Sequence, residues 1–246
     1  MSEKQRKNIP AGELIYGAHS LIEVLKAKRR RLLGIYTTKP LPKIWSKIEH
    51  YLPKSVPNIQ YVDRQVLDRM AGSQDHNNIL AWVSPFKYCS KPFDPQKKKF
   101  ILMLDAVQDV RNLGAILRSA YCTGVDGVVL CRAQSAPLSP AAFKASAGLA
   151  EYLDIWLAPS MKHAVSELKK AGYNFYMAVL DGQSAVTVDY KMPLCLVIGN
   201  EASGIDKDIQ NMGIKITLPQ KDKDISYNAS VAAGILLFLI SVHSSK

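Results

Sequence analysis

The sequence predicts an α/β protein in two parts. A small N-terminal α/β domain covers residues 1–84, a linker 85–99, and a larger domain built on a parallel sheet 100–246. Three observations predict this. After residue 99, short and nearly continuous apolar runs alternate with stretches of helical period, as in a parallel sheet covered on both faces. Residues 84–99, "SPFKYCSKPFDPQKKK", hold three prolines and five lysines with no apolar period, which marks a connection between domains. The chain has 246 residues, 48% hydrophobic and 22% charged, enough to bury real cores.

In the first part, strand-like runs "LLGIYTT", "NIQYV" and "NILAWV" alternate with helix-like "AHSLIEVLKAK", "PKIWSKIEHYL" and "DRQVLDRMA". In the second, β-branched and aromatic runs predict strands at "FILMLDAV", "DGVVLC", "LDIWLA", "YNFYMAVL", "LCLVIG" and "GIKITLP". The intervening periodicity predicts helices at 113–123, 140–147, 161–171, 206–211 and 228–242. The last, with "VAAGILLFLI", is apolar enough for a core or interface helix and too short for a bilayer span. No internal repeat is found.

The formal net charge is +11, which points to a polyanionic partner, nucleic acid first. Residues 1–96 carry 16 Lys/Arg and 8 Asp/Glu, net +8, and residues 97–246 carry 16 and 13, net +3. The N-terminal part is therefore expected to be the anion-binding half, unless the charge serves only solubility. Its densest cluster, "KAKRRR", offers Lys28, Arg29, Arg30 and Arg31 to RNA phosphates, or is simply a solvated helix end. His76, in "DHNNI", reads as a turn histidine before a strand. Cys89, Cys122, Cys131 and Cys195 form no CxxC pair, so neither a zinc site nor a disulfide framework is expected. Free thiols and a polar N-terminus without a signal-peptide core fit a cytoplasmic protein with no membrane association.

The strand at 100–107 is not followed by GxGxxG, and GxxxxGK[ST] is absent. That argues against a dinucleotide fold, a Rossmann methyltransferase and a P-loop NTPase. Three strand-to-loop junctions remain, and ligands of such sheets bind at the strands' carboxyl ends. In "LDAVQDVRNLGAILRSA", Asn112 suits a helix N-cap, Gly114 permits close backbone approach, and Arg118 lies on another helical face. In "LCLVIGNEASGI", Gly199 and Gly204 bracket Glu201, which could equally complement the next helix N-terminus. In "ITLPQKDKDISYNASVAAGILLF", Ser226, Tyr227, Asn228 and Ser230 lead from a charged loop into an apolar helix. Taken singly, each also reads as an ordinary turn or cap.

Together, their order and spacing resemble the three motifs of the SpoU (TrmH-like) family of RNA ribose 2′-O-methyltransferases. Asn112 to Arg118 matches N-x-G-A-I-x-R. Gly199, Glu201 and Gly204 match G-x-E-x-x-G. Ile216 to Pro219 with Ser226 to Ala233 matches I-x-x-P and S-x-N-x-S-x-A-A. "SAPLSPAAFKASAGLAEYL", "IYGAHSLIEVLKA" and "MAGSQDHNNILAWV" extend the likeness over nearly the whole chain. It is greatest to the subgroup of bacterial 23S rRNA (guanosine-2′-O-)-methyltransferases. Gln220, Asp222 and Tyr227 depart from the third motif's usual Met, Gly and Leu, and Arg111 departs from the commoner Pro or His.

The resemblance implies a trefoil knot in the C-terminal domain, S-adenosylmethionine as cofactor, no metal, a homodimer, and an N-terminal domain like ribosomal protein L30e. It implies RNA as partner, with 2′-O-methylation of a guanosine ribose in 23S rRNA as the reaction. The alternatives are the same chemistry on tRNA, or a non-catalytic RNA-binding ribosome-assembly factor. Carried over residue by residue, Arg118 holds phosphate and stabilises the developing alkoxide. Asn112 and Glu201 orient Arg118 and the ribose, while Ser226 and Asn228 shape the third loop. Leu180, Gly199, Leu218, Tyr227 and Asn228 bind the cofactor.

Overall fold

The computed structural model describes residues 12–55, 58–132, 135–222 and 226–244. The polar N-terminus and residues 223–225 of the charged loop lie outside these ranges. The chain divides into two compact units. One comprises residues 1–87 with 138–151, the other 88–137 with 152–246.

The first unit holds a four-stranded sheet of order β1-β4-β2-β3. Its strands are β1 (Glu13–Tyr16), β2 (Leu32–Thr37), β3 (Ile59–Tyr61) and β4 (Ile79–Val83). Only β2 and β3 run parallel. The period of two in β4 decides its packing. Ile79, Ala81 and Val83 join Ile15, Leu21, Ile35, Ile48 and Trp45 in one core. Leu80 faces the other side, with Tyr16 and Leu67. Helices α1 (Ala18–Ala27) and α2 (Trp45–Glu49) feed the first core, and α3 (Arg64–Ala71) the second. Strand β1 has no clear signal in the sequence, being four residues long and only half buried.

His76 is fully buried. Its Nδ1 accepts the Asn78 N–H at 3.0 Å, so Nε2 carries the hydrogen that meets Asp68 Oδ1 at 2.7 Å. It is a structural histidine that holds the turn before β4.

Two segments pack in ways that their sequence signals do not announce. Segment 138–151, expected in the second domain, counts with the first unit. There α4 (Pro140–Ala145), capped by Ser139, packs on β1 and α1. Phe143 meets Phe86 edge-on at 5.8 Å. Residues 88–99 are no free linker, because Phe93 is buried in the second unit's core and the Cys89 N–H bonds Ile155 O at 2.7 Å. Aromatic side chains among the prolines supply the burial that a linker lacks.

Arg30 is corrected: its side chain is only 2% exposed and is unavailable to a phosphate. The guanidinium donates to Ser84 O and to Glu13 Oε2, each at 2.7 Å, and lies over the Phe143 ring. Lys28, Arg29 and Arg31 stay exposed.

Glu151 faces the same guanidinium at 3.7 Å, is wholly buried, and its carboxylate oxygens accept no hydrogen bond among the described residues. Burial pushes its pKa from 4.5 up to about 7, against the pull of Arg30 and Arg29. The folded state therefore holds a proton that the unfolded state releases. This stabilisation is complete below pH 4.5 and is lost as pH rises to about 7. The loss is on the order of 3 kcal/mol, from about 1.4 kcal/mol per pKa unit. Glu151→Gln is expected to flatten the fall in urea midpoint across that window. A variant profile as steep as the wild type's would refute the assignment.

The second unit carries a six-stranded, wholly parallel sheet of order β10-β8-β9-β5-β6-β7. Its strands are β5 (Phe100–Leu104), β6 (Gly127–Cys131), β7 (Ile155–Ala158), β8 (Asn174–Ser184), β9 (Leu194–Ile198) and β10 (Ile214–Thr217). Every residue of β5, β6 and β9 is buried. That is why their sequences are continuous apolar runs without alternation.

One face packs Ile101, Met103, Val129, Val197 and Phe175 with Met161, Val165 and Leu168 of α6 (Met161–Ala171). Two further helices, α5 (Val110–Cys122) and α8 (Ala229–Ser244), pack on one another, and α8 also contacts β9. A short α7 (Lys207–Gln210) precedes β10. No disulfide joins the four cysteines among the described residues, and burial pushes the Cys131 thiol up to about 12 and raises that of Cys195. Both buried thiols are therefore unreactive at neutral pH.

Candidate active site

Strands β5, β6 and β7 step one way across the sheet, and β8, β9 and β10 lie on the other side of β5. The order therefore reverses between β9 and β5. In open parallel sheets such a reversal opens a crevice beyond the carboxyl ends. The loops after β5, β9 and β10 leave the sheet on that side, and the middle of β8 joins them.

The loop after β9 is a tight turn closed by Asn200 and Gly204, whose N–H and C=O groups bond reciprocally at 3.0 Å. Gly204 has φ +68°, a region that favours glycine. A Cβ on Gly199 would stand 2.3 Å from the Gly204 carbonyl carbon and 2.4 Å from Ile205 N. The backbone here folds onto itself more closely than any side chain allows.

The Asn200 side chain accepts from Ala202 N at 2.8 Å and Ser203 N at 3.1 Å, and donates to Ala106 O at 2.7 Å. One amide thus sets the turn and ties it to the end of β5. Asp105, at that end, is buried and accepts the Asp206 N–H at 3.1 Å, and burial raises its pKa. Asp206 caps α7 by accepting the Asp208 N–H, so Glu201 is not needed there and turns elsewhere.

Helix α5 begins at Val110, and its N-cap is Asp109, which accepts the Arg111 N–H at 2.7 Å. The expectation that Asn112 caps it is corrected. Asn112 sits in the first turn, and its amide is free to reach across to the other loops. Its Nδ2 donates to Glu201 Oε1 at 2.9 Å, and its Oδ1 accepts from Asn228 Nδ2 at 3.2 Å. Asn228 Oδ1 in turn accepts from Ser230 N at 2.9 Å and Ser230 Oγ at 2.6 Å. A carboxylate only accepts, so Glu201 dictates which way Asn112 points, and Asn112 dictates Asn228. One polarised chain joins three loops that are far apart in sequence.

Strand β8 pairs with β10 at Tyr176 and Met177, then again only at Gln183 and Ser184. Residues 178–182 have no partner in β10 and bow outward. Leu180, expected at the strand end, stands on this bow and is 62% exposed. Its carbonyl is held by Thr217 Oγ1 at 3.2 Å. Tyr227 Oη donates to Pro219 O at 3.2 Å, which clasps the two ends of the third loop. Asp222 does not take positive φ, so the third motif's usual glycine is not needed there for backbone freedom.

These segments line a cavity of about 540 Å³. Leu180, Gly199, Leu218, Tyr227 and Asn228 all lie on its wall, with Glu201 and Ser226. Arg118 does not. It lies six residues beyond Asn112, about 9 Å along the helix axis and about 120° around it. It is exposed, and its guanidinium has no hydrogen bond or ion pair among the described residues. Asn112 and Glu201 bond each other, and neither bonds Arg118 among the described residues. The sequence motifs assign no role to Asn200, Asp105 or Thr217. Asn200 is visible between Gly199 and Glu201, whereas nothing local marks the other two.

The model of the SpoU rRNA methylase family matches residues 99–238. The chain belongs to that family. A second model, RNA 2′-O ribose methyltransferase substrate binding, matches residues 14–89. The chain is 30% identical over 239 residues to the 23S rRNA (guanosine-2′-O-)-methyltransferase RlmB of Pasteurella multocida, covering 93% of this chain and 97% of that one. It is 28% identical over 236 residues to the putative TrmH family tRNA/rRNA methyltransferase YacO of Bacillus subtilis, covering 92% and 94%. In fold it is similar to the SpoU methyltransferase AviRb of Streptomyces viridochromogenes, solved with its cofactor AdoMet. That match has a TM-score of 0.81 and 17% identity, covering 100% of this chain and 95% of that one.

S-adenosylmethionine is the methyl donor of the SpoU family, and the cavity suits it. The volume falls in the range of small-molecule sites. Leu180, Ile198, Leu218 and Leu236 give apolar walls for an adenine, and the bare backbone at Gly199 admits a ligand closely. Asp181 and Glu201 on the wall favour a ligand with sulfonium and ammonium charges. Among the described residues no helix is long and apolar enough to cross a membrane.

Proposed function

We propose that this protein methylates the 2′-hydroxyl of a guanosine ribose in 23S rRNA, with S-adenosylmethionine held in the cavity between β8, β9 and β10. The observation that carries this reading is the chain Glu201–Asn112–Asn228 at the cavity rim. It gives a substrate hydroxyl fixed polar partners beside a small-molecule site. The full-length likeness to the Pasteurella enzyme favours 23S rRNA. The tRNA/rRNA name of the Bacillus relative keeps tRNA as the second reading.

When bound, S-adenosylmethionine supplies an already activated methyl group. The protein then has to place the ribose and to stabilise the alkoxide left when its proton departs. Asn112 and Asn228, locked in orientation by Glu201, hold the ribose. Arg118 suits the alkoxide, because its planar fork pairs with a phosphate and faces the ribose oxygen at once. It is no general base, since a guanidinium keeps its proton (pKa above ~12). Proton loss goes to phosphate or water. Leu180, Gly199, Leu218 and Tyr227 hold the donor, and Ser226 meets donor or substrate from the third loop. Lys28, Arg29 and Arg31 of the first unit bind RNA phosphates.

The same reading carries a homodimer and a trefoil knot. Val231, Ile235, Phe238 and Val242 form an exposed stripe along α8, 36–61% accessible, of the kind a second copy covers. The placement of β9 between β8 and β5 is the strand order on which the knot would be built.

The test incubates the protein with methyl-labelled S-adenosylmethionine and, separately, 23S rRNA and tRNA transcripts. Label is expected in 23S rRNA, recovered in an alkali-resistant 2′-O-methylated dinucleotide. Label in tRNA alone would move the substrate. No label in either, with no donor binding by calorimetry, would leave a non-catalytic RNA-binding factor.

A further inference from the structure

Helix α5 presents a second arginine whose place fits no packing role. Arg111 and Arg118 are seven residues apart, so they project from the same face within about 20°, with a rise of about 10.5 Å between them. Both are exposed. Neither guanidinium has a hydrogen bond or ion pair among the described residues. Ala115 lies between them on the same face and is partly accessible, so no bulky side chain separates the two cations. The helix's other sides are occupied. Leu113, Ile116, Leu117 and Ala120 are buried, and Ser119 lies against Gly234 of α8.

The position of Arg111 is electrostatically unfavourable. It is in the first turn of α5, where the helix dipole disfavours a cation. No acidic side chain lies in that first turn to offset it. The neighbouring cap, Asp109, directs its carboxylate to the Arg111 backbone N–H. Two exposed cations on one helix face, unpaired among the described residues and next in sequence to the rim residue Asn112, offer an anion from outside two charges at once.

We infer that the exposed face of α5 is a backbone rail. Arg111 and Arg118 each hold a phosphate of the same RNA strand, one on either side of the nucleotide presented to the cavity. Arg111 is thus a substrate-positioning residue. It contributes affinity and register for the strand without reading its bases. This inference rests on the RNA methyltransferase reading above and adds the path of the strand.

The experiment measures equilibrium binding of a 23S rRNA fragment and of a short single-stranded RNA by the full-length protein over a salt series. Wild type, Arg111→Ala, Arg111→Lys and Lys169→Ala are compared. Lys169 is an exposed cation on helix α6, away from this face of α5, and controls for net charge alone. Removing one phosphate contact should lower the slope of log K against log salt by about 0.7 for single-stranded RNA. Arg111→Ala is expected to show that change, a roughly 10-fold weaker RNA affinity at low salt, and a matching rise in KM for RNA. Donor affinity should not change. Arg111→Lys should recover the slope, because a phosphate contact needs a charge. An Arg111→Ala slope equal to wild type, or an equal loss in Lys169→Ala, would overturn the rail. Absence of any RNA binding by the wild-type protein would overturn the RNA reading itself, and the rail with it.

Discussion

Replacing Arg118 by alanine is expected to slow methyl transfer by about 100- to 1000-fold, the usual cost of removing one donor to a developing oxyanion. Stability and donor affinity should stay at wild-type values. The separation follows from where the side chain lies. Arg118 is exposed, makes no hydrogen bond or ion pair among the described residues, and is absent from the cavity wall. Its removal leaves no buried partner orphaned and opens no void. Single-turnover rates at saturating RNA and donor report the chemical step, and calorimetry reports donor binding. Arg118→Lys keeps the charge and loses the fork, so its rate should fall between the two. An Arg118→Ala rate within a factor of a few of wild type would remove this residue from the mechanism. Loss of donor binding in step with activity would mean that it acts through the cavity.

Gly199→Ala is expected to lower donor affinity by at least about 30-fold, from an overpacking cost of ~2–3 kcal/mol. The added methyl group would lie 2.3 Å from one backbone atom and 2.4 Å from another. Both belong to the turn that Asn200 closes, so no flexible side chain can swing aside. The turn must open. Opening it moves Glu201 away from Asn112, and the chain to Asn228 then loses the acceptor that orients it. RNA methylation should therefore fall further than donor affinity alone accounts for. Calorimetry with S-adenosylmethionine and a thermal melt of the same sample give both readouts. Wild-type affinity in this variant would show that the 199–204 turn does not frame the donor site.

The sheet of the second unit was legible because its strands are buried on both faces. Such strands are written as unbroken apolar runs, and "FILML", "GVVLC" and "LCLVI" each became a fully buried strand. The glycine-bearing junction after β9 was legible for a related reason. Tight turns at strand ends restrict residue type locally, and Gly199 and Gly204 stand where a Cβ or a negative φ would not fit.

What escaped the sequence was non-local. Glu13–Tyr16 is a strand because β4 runs beside it, not because four residues announce one. Segment 138–151 carries an ordinary helix signal, and that signal does not say which core Phe143 will enter. The bow in β8 follows from its pairing with β10 at both ends but not between. Arg30 sits in the same run of basic residues as Arg29 and Arg31. Only the approach of Glu13, Ser84 and Glu151 turns it inward while Arg29 and Arg31 stay exposed.

By itself the sequence determined the class of fold, the strands of the parallel sheet, the three motif-bearing junctions and the family to which they belong. These depend on periodicity and on the residue types that local backbone geometry tolerates. The tertiary structure alone decided that Asn112 is no helix cap but the middle of a chain from Glu201 to Asn228. It alone set Arg118 apart from that chain and left Arg111 on the same face of α5. A side chain's partner is chosen by which elements the folded chain brings within hydrogen-bond reach. Residues 112, 201 and 228 meet only because β5 and β9 are neighbours in the sheet and α5 packs on α8.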